Sequence, residues 1–270
     1  MKNVLEKRSP AFIGILHRTL WPVMKAVFSL KIEGAQNIPE KGPLLFISNH
    51  NSGAVVESHS VLFTLQDVKG SDFQVYGFTH PSIFKIPLMS SYFYLIGAVP
   101  ASYEVAEVIF KTDRSLMIFP GGNRQALRPV WEYKINHFRW AHGWAKIAKS
   151  QNVPVIPVSF KGSHFINPVF LCNKWISKLL ILPAVLGIKY APVSLGQILC
   201  ACISFFALKF FQAPMALNIL LTYVIFIISP LMLVIPFPVK MKIYPAIIPS
   251  QFSTQESLEQ EMGNIMDGLY

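Results

Sequence analysis

Asn49 and His50 follow the apolar run Leu44–Ile47, and Ser52 stands just beyond them where a helix cap is expected. A histidine between a buried strand and a helix N-terminus occupies the place where α/β sheets carry their chemistry. The helix dipole disfavours a protonated ring there, so the imidazole stays neutral and able to accept a proton. The plainer alternative is a histidine that only closes a turn. Glu57 is the one carboxylate close after His50 in sequence. A second apolar run, Ser115–Phe119, ends in Pro120-Gly121-Gly122-Asn123-Arg124. Paired glycines after a strand let backbone N–H groups approach an anion, and the arginine adds charge. His80 ends a third run, Phe73–Phe78, as a substrate contact or a structural histidine.

The elements that must position these residues read as follows. Leu30–Glu33, Leu44–Ile47, Phe73–Phe78, Ser115–Phe119, Val153–Phe160 and an alternating run from Lys240 are expected strands. Gly53–Leu65, Tyr103–Thr112, His142–Gln151 and Gln251–Leu269 are expected helices, the last capped by Ser253 or Thr254. Ala11–Phe28 is an amphipathic helix, destined for a membrane surface or for packing on the domain. Trp131, Tyr133 and Trp140 line a tunnel, lie at an interface or fill the core.

Asn49-His50, Phe119-Pro-Gly-Gly-Asn-Arg124 and Val155-Ile-Pro-Val158 occur in an order and spacing that resembles the glycerolipid (lysophospholipid) acyltransferase, or PlsC-like, family. That family has an Asn-His box, a Phe-Pro-Glu-Gly-x-Arg box and a Val-Ile-Pro-Val strand. His80–Pro87 and Gly97–Pro100 fit the region between. The resemblance covers about residues 30 to 165 and a tail from about 239. Two positions depart from it: Val55 stands where the family has its aspartate, and Gly121 where it has its glutamate. The Phe-Pro-Gly-Gly form is similar to the branch that acylates mono- and diacylglycerols.

The resemblance implies an α/β fold with a mixed, largely parallel sheet flanked by helices. It also implies an O-acyltransferase that moves a fatty acyl group from acyl-CoA or acyl carrier protein to a glycerolipid hydroxyl. His50 would be the general base. Gly121 and Gly122 would supply backbone N–H groups to the oxyanion, and Asn123 and Arg124 would hold a phosphate or headgroup. Asn49, Ser52 and His80 complete the implied substrate-binding set. Neither a metal nor a cofactor beyond the acyl carrier is implied. Glu57 is the candidate to replace the missing aspartate. It lies two residues past Val55, a rotation of roughly 200° along a helix, so pairing with His50 and pointing away both stay open. Val55 favours a rival reading, a lipid-binding or scaffold protein that keeps the fold without the activity. The intact Asn49-His50 pair and Arg124 favour the enzyme, and the lack of a G-x-S-x-G elbow disfavours a serine lipase.

The chain is 52% hydrophobic and only 14% charged, too apolar for an ordinary soluble domain. Its net charge of +10 is scattered among apolar runs with no nucleic-acid motif, which points to anionic membrane lipid and not to nucleic acid. The cysteines, Cys172, Cys200 and Cys202, form no metal or disulfide pattern and suit a reducing compartment. Between Lys134 and Gln255 there are eleven lysines and arginines and no acid. Tyr190–Leu208 and Phe210–Val239 are uncharged for 19 and 30 residues, each long enough to cross a bilayer, with Pro230 a kink in the second. Leu179–Ile188 is a shorter apolar run suited to an interface or a core. The expected organisation is a surface helix over 1–30 and an acyltransferase domain over 31–168. A hydrophobic membrane hairpin over 169–238 follows, and 239–270 return to the domain. The domain would face the cytoplasmic side of a membrane.

Overall fold

The computed structural model describes residues 2–51, 54–85, 87–134, 140–185, 187, 189–229 and 235–268. Its strands are β1 (Lys31–Glu33), β2 (Leu45–Ser48), β3 (Val75–Thr79), β4 (Ala98–Pro100), β5 (Ser115–Ile118), β6 (Val155–Lys161), β7 (Val169–Asn173), β8 (Ala191–Ser194) and β9 (Lys240–Ile243). Its helices are α1 (Lys2–Leu5), α2 (Pro10–Val27), α3 (Ala54–Lys69), α4 (Pro87–Leu95), α5 (Tyr103–Lys111), α6 (Gly122–Ala126) and α7 (Gly143–Gln151). They continue with α8 (Lys174–Leu179), α9 (Leu182–Val185), α10 (Leu195–Phe210), α11 (Met215–Ile228) and α12 (Gln255–Asp267).

Seven strands form one sheet in the order β1-β9-β6-β2-β5-β3-β4, while β7 and β8 pair separately. From β6 to β4 every neighbour is parallel. Here β9 runs antiparallel to β6, and β1 is parallel to β9. The centre is β2, every residue of which is buried. Leu45 faces Leu116 of β5 and Val155 of β6. Apolar runs without alternation are what a parallel sheet covered on both faces requires. On one face, Leu44, Phe46, Ile156, Val158, Phe160 and Met241 pack under α2 and α3 through Ile13, Trp21 and Phe63. On the other, Leu45, Ile47, Leu116 and Val155 pack under α5, α7 and α12 through Ile109, Ile147 and Leu258.

The Ser9 hydroxyl accepts a bond from Phe12 N at 3.2 Å and caps α2, with Pro10 at its first position. The helix is fastened to α3 by one side chain. Asp67 accepts from Trp21 Nε1 at 2.8 Å and meets His17 Nε2 at 2.6 Å. Ile13, Trp21 and Met24 are buried, while Ala11, Ile15, Thr19, Val23 and Val27 form an outward stripe four residues apart.

The two long uncharged runs form shorter helices than expected. Tyr190–Leu208 is divided, with its first part in β8. Helix α10 starts only at Leu195, where Ser194 and Gln197 cap each other. Pro192, which cannot donate to a helix ladder, lies ahead of that start. In the second run α11 has 14 residues, and residues 235–239 form neither helix nor strand; Pro230 and residues 231–234 lie outside the described part. Among the described residues no helix is long and apolar enough to cross a membrane, so these runs, each long enough in sequence to do so, do not form a transmembrane helix there. The chain joins α10 to α11 through a short link, and Asn218 Nδ2 donates to Phe205 O across them at 3.1 Å.

Candidate active site

The C-terminal ends of β2, β5 and β6 meet at one edge of the sheet, and the residues after β2 turn across it. Asn49 is fully buried, and its amide makes two bonds to β6: Nδ2 donates to Phe160 O at 2.9 Å and Phe160 N donates to Oδ1 at 2.7 Å. These extend the β2–β6 ladder by one side chain. Its position is that of a clamp on the turn carrying His50.

His50 stacks on Phe119, with ring centroids 4.4 Å apart and planes 27° from parallel. Its Nδ1 lies 2.8 Å from Glu57 Oε2. Glu57 is in the first turn of α3, where the helix dipole favours a negative charge, and its side chain is 0% exposed. The same Oε2 accepts from Asn51 N at 3.0 Å, and Oε1 accepts from the Ser163 hydroxyl at 2.6 Å. Ser163 in turn accepts from Asn51 Nδ2 at 2.7 Å. A carboxylate that already accepts from these two donors is an acceptor only, so Nδ1 of His50 facing it carries the proton and Nε2 keeps the lone pair. Val55, at the position of the family aspartate, is 37% exposed and points away.

The glycine turn holds this arrangement from the other side. Gln125 Oε1 accepts from His50 N at 2.8 Å and from Trp140 Nε1 at 3.1 Å. To do so its side chain lies over Gly121, where a Cβ would sit 2.2 Å from Oε1. Glycine is therefore required there for lack of room. Gly122 N donates to Phe119 O at 3.0 Å, so that N–H is occupied within the turn and is not a spare donor for an oxyanion. Gly122 opens the short helix α6, in which Asn123 and Arg124 are exposed; the Arg124 guanidinium lies 5.5 Å from the Tyr190 ring centre.

Arg128 is a residue that sequence reasoning missed. It is buried and donates to His50 O at 2.7 Å, Gln125 O at 2.9 Å, Asn51 Oδ1 at 2.6 Å and Glu132 O at 3.0 Å. Its charge thereby ties the His50 turn to the glycine turn, with Asn51 standing between it and Glu57. Beside it, burial and the Arg128 charge push His164 down to about 4. Asn51, Gln125 and Ser163 were missed too. No motif marks them, and only the return of β6 beside β2 brings them together.

The structure thus gathers Asn49, His50 and Glu57, with Gly121 acting through Gln125. His80 is elsewhere: it is exposed at the end of β3, two strands from β2, with Nδ1 2.7 Å from the Ser82 hydroxyl. Ser52 lies outside the described residues. Among the described residues no cluster of histidine, cysteine and acid residues could hold a metal.

A histidine base oriented by a buried carboxylate, at the C-terminal edge of a largely parallel sheet, is the arrangement of an acyl- or proton-transfer protein. Residues 29–161 match the family model described as Acyltransferase. That match, over just under half of the chain, supports an acyltransferase family. Over 144 residues it is 32% identical to a human protein described as a DGAT1/2-independent enzyme synthesizing storage lipids, covering 52% of this chain and 42% of that one. A Bos taurus protein of the same description is 31% identical over 144 residues, covering 52% and 41%. The chain therefore spans about two-fifths of the length of these relatives. Among solved structures, the 1-acyl-sn-glycerophosphate (LPA) acyltransferase PlsC from Thermotoga maritima matches with a TM-score of 0.52 at 16% identity, over 94% of this chain and 76% of that one. This last likeness is one of fold.

Proposed function

We propose that the chain is a membrane-associated O-acyltransferase that moves a fatty acyl group from a thioester carrier, acyl-CoA or acyl carrier protein, to a glycerolipid hydroxyl. The observation that carries this reading is the His50–Glu57 contact, which fixes the tautomer and leaves Nε2 as a base. In the reaction the acceptor hydroxyl gives its proton to Nε2 as its oxygen attacks the thioester carbonyl. Glu57 stabilises the imidazolium. The tetrahedral intermediate then collapses, the carbon–sulfur bond breaks, and the thiolate takes the proton back from Nε2. The description of the human and Bos taurus relatives, storage-lipid synthesis, supports a neutral glycerolipid acceptor.

Membrane association rests on unpartnered apolar surface. The outward stripe of α2 is one part of it. Trp175, Leu179 and Val185 on α8 and α9, Ile181 between them, Ile203, Phe206 and Phe210 on α10, and Ile219, Leu220 and Ile228 on α11 are exposed as well. A soluble monomer rarely leaves so many large apolar side chains on neighbouring helices in water. Helices of this length suit a hairpin lying in one leaflet better than a span. The lysines of the domain favour the cytoplasmic side. The rival reading, an inactive scaffold, drew its support from Val55; Glu57 on the His50 ring takes that support away.

The test is acyl transfer by the purified chain with labelled acyl-CoA and acyl carrier protein against a panel of mono-, di- and lysoglycerolipids. His50→Ala should lose at least about a hundredfold in rate with its circular dichroism unchanged. Equal transfer by the variant and the parent chain would reject the mechanism.

A further inference from the structure

Among the described residues, the β1–β9–β6 side of the sheet exposes one of its faces. Along β9 and β6, Met241, Ile243, Val158 and Phe160 turn to the face covered by α2 and α3. Alternation sends Lys240, Lys242 and Lys161 to the opposite face, and all three are exposed. The helices of that face, α5, α7 and α12, pack instead over β5, β2 and the start of β6. In register, Lys31 of β1 faces Lys240 of β9, and Lys240 faces Lys161 of β6. Three lysines thus stand in a row across three adjacent strands. Like charges directly opposite destabilise a sheet. Glu33 answers part of this charge, 2.7 Å from Lys240 Nζ.

The row ends on a groove of about 720 Å³ lined by Lys31, Lys161 and Lys240 with Lys134, and walled by Tyr133, Phe165 and Phe237. Phe165 and Phe237 pack with ring centroids 4.9 Å apart, and Phe165 and Tyr133 at 5.5 Å. Cationic rim and apolar wall together suit a ligand with a phosphate at one end and an ester or acyl group at the other. Ser29, two residues past α2, and Phe237–Lys240, the stretch by which the chain returns after α11, form part of the lining. The groove therefore opens beside the chain just past α2 and the stretch that leads into β9.

We propose that this groove binds the phosphate headgroup of an anionic phospholipid of the bilayer, which is not consumed and seats the domain on the membrane. The proposal rests on the membrane reading above. The bound phosphate offsets the repulsion of the lysine row, and the aromatic wall receives the glycerol ester.

The experiment uses the full chain and a soluble short-chain phosphatidic acid below its micelle concentration, which tests the groove without a membrane. Each lysine near an anionic surface contributes about a fivefold factor, so K31Q/K161Q should bind about 25-fold more weakly. Lys111→Gln, which removes a lysine on α5, should bind like the parent chain. Without lipid, K31Q/K161Q should unfold no lower than the parent chain, since it removes like-charge repulsion, and transfer to a soluble acceptor should be alike in all three. On vesicles, the parent chain should prefer phosphatidylcholine containing phosphatidic acid over phosphatidylcholine alone, and the double variant should lose that preference while still binding both. If the short-chain lipid binds parent and double variant equally, the groove is not its site and the proposal falls. If adenosine 3′,5′-bisphosphate displaces the lipid with the same lysine dependence, the groove serves the acyl carrier instead and the proposal also falls. Failure of the parent chain to bind any vesicle would overturn the seating role and the membrane reading. The soluble titration would still show separately whether the groove holds a phospholipid.

Discussion

With Nδ1 held by a carboxylate that is itself fully engaged, His50 has one useful tautomer. Glu57→Gln keeps the shape but allows the amide to donate to Nδ1, which turns the lone pair inward. The rate constant kcat should fall by about 10²- to 10⁴-fold with little change in KM, because the interaction strengthens only as charge develops. Steady-state kinetics checks this, and equal losses in kcat and binding would reject it. Val55→Asp, by contrast, should change the rate less than about twofold, since the side chain is directed outward and Glu57 already fills the role. The double variant V55D/E57Q should stay as slow as E57Q. The histidine and its turn were legible in the sequence because a short apolar strand ending in Asn-His has few other uses. The side chain of Glu57 was not, because its direction depends on where α3 begins relative to the turn, and one residue of phase moves it by about 100°.

At the scale of the element, the Phe119–Arg128 segment behaves as a brace. Gly121→Ala would drive a Cβ into Gln125 and release the bond to His50 N. The expected loss is about 1–3 kcal/mol of stability, from overpacking and a broken buried bond, with a larger fall in activity than in folding. Denaturant titration beside kinetics measures both. Arg128 also sets a pH response. Burial and its charge hold His164 at about 4, against about 6.5 unfolded, so the folded state resists a proton that the unfolded chain accepts. His59, buried against Tyr92, is lowered too, by burial above all. The part of the stability linked to His164 is therefore full above about 6.5, falls as the pH drops toward about 4, and then levels. His164 contributes at most about 3 kcal/mol to that fall. Melting temperature against pH checks it, and His164→Gln should flatten part of the slope. The strands and most helices were legible from apolar runs and caps. The short β4 and the β7–β8 pair were not, because three to five residues without a strong pattern acquire their strand character from a neighbour.

For the whole molecule, the uncharged composition of residues 190–239 was legible, but their helix lengths were not. A window of hydropathy counts apolar residues without asking where Pro192 and Ser194 start the helix. Removal of α10 and α11, with a short polar link in their place, should leave the seven-stranded sheet intact and weaken vesicle binding by at least tenfold, by burial of apolar area alone. Flotation on vesicles and circular dichroism measure the two parts, and unchanged flotation would place the membrane contact elsewhere. The position of β9 has a consequence in time. It lies between β1 and β6, and among the described residues β1 has no other neighbour in the sheet. Lys31 therefore waits for Lys240, 209 residues later. At roughly 5–20 residues per second, a ribosome takes about ten to forty seconds to make that stretch. Throughout that interval β1 hangs from α2 unpaired, and from its own synthesis onward β6 offers the ribosome-bound chain an open ladder edge. A nascent chain stalled just before Lys240 should be cut by protease near Leu30–Gly34, and one stalled well beyond Asp267 should not.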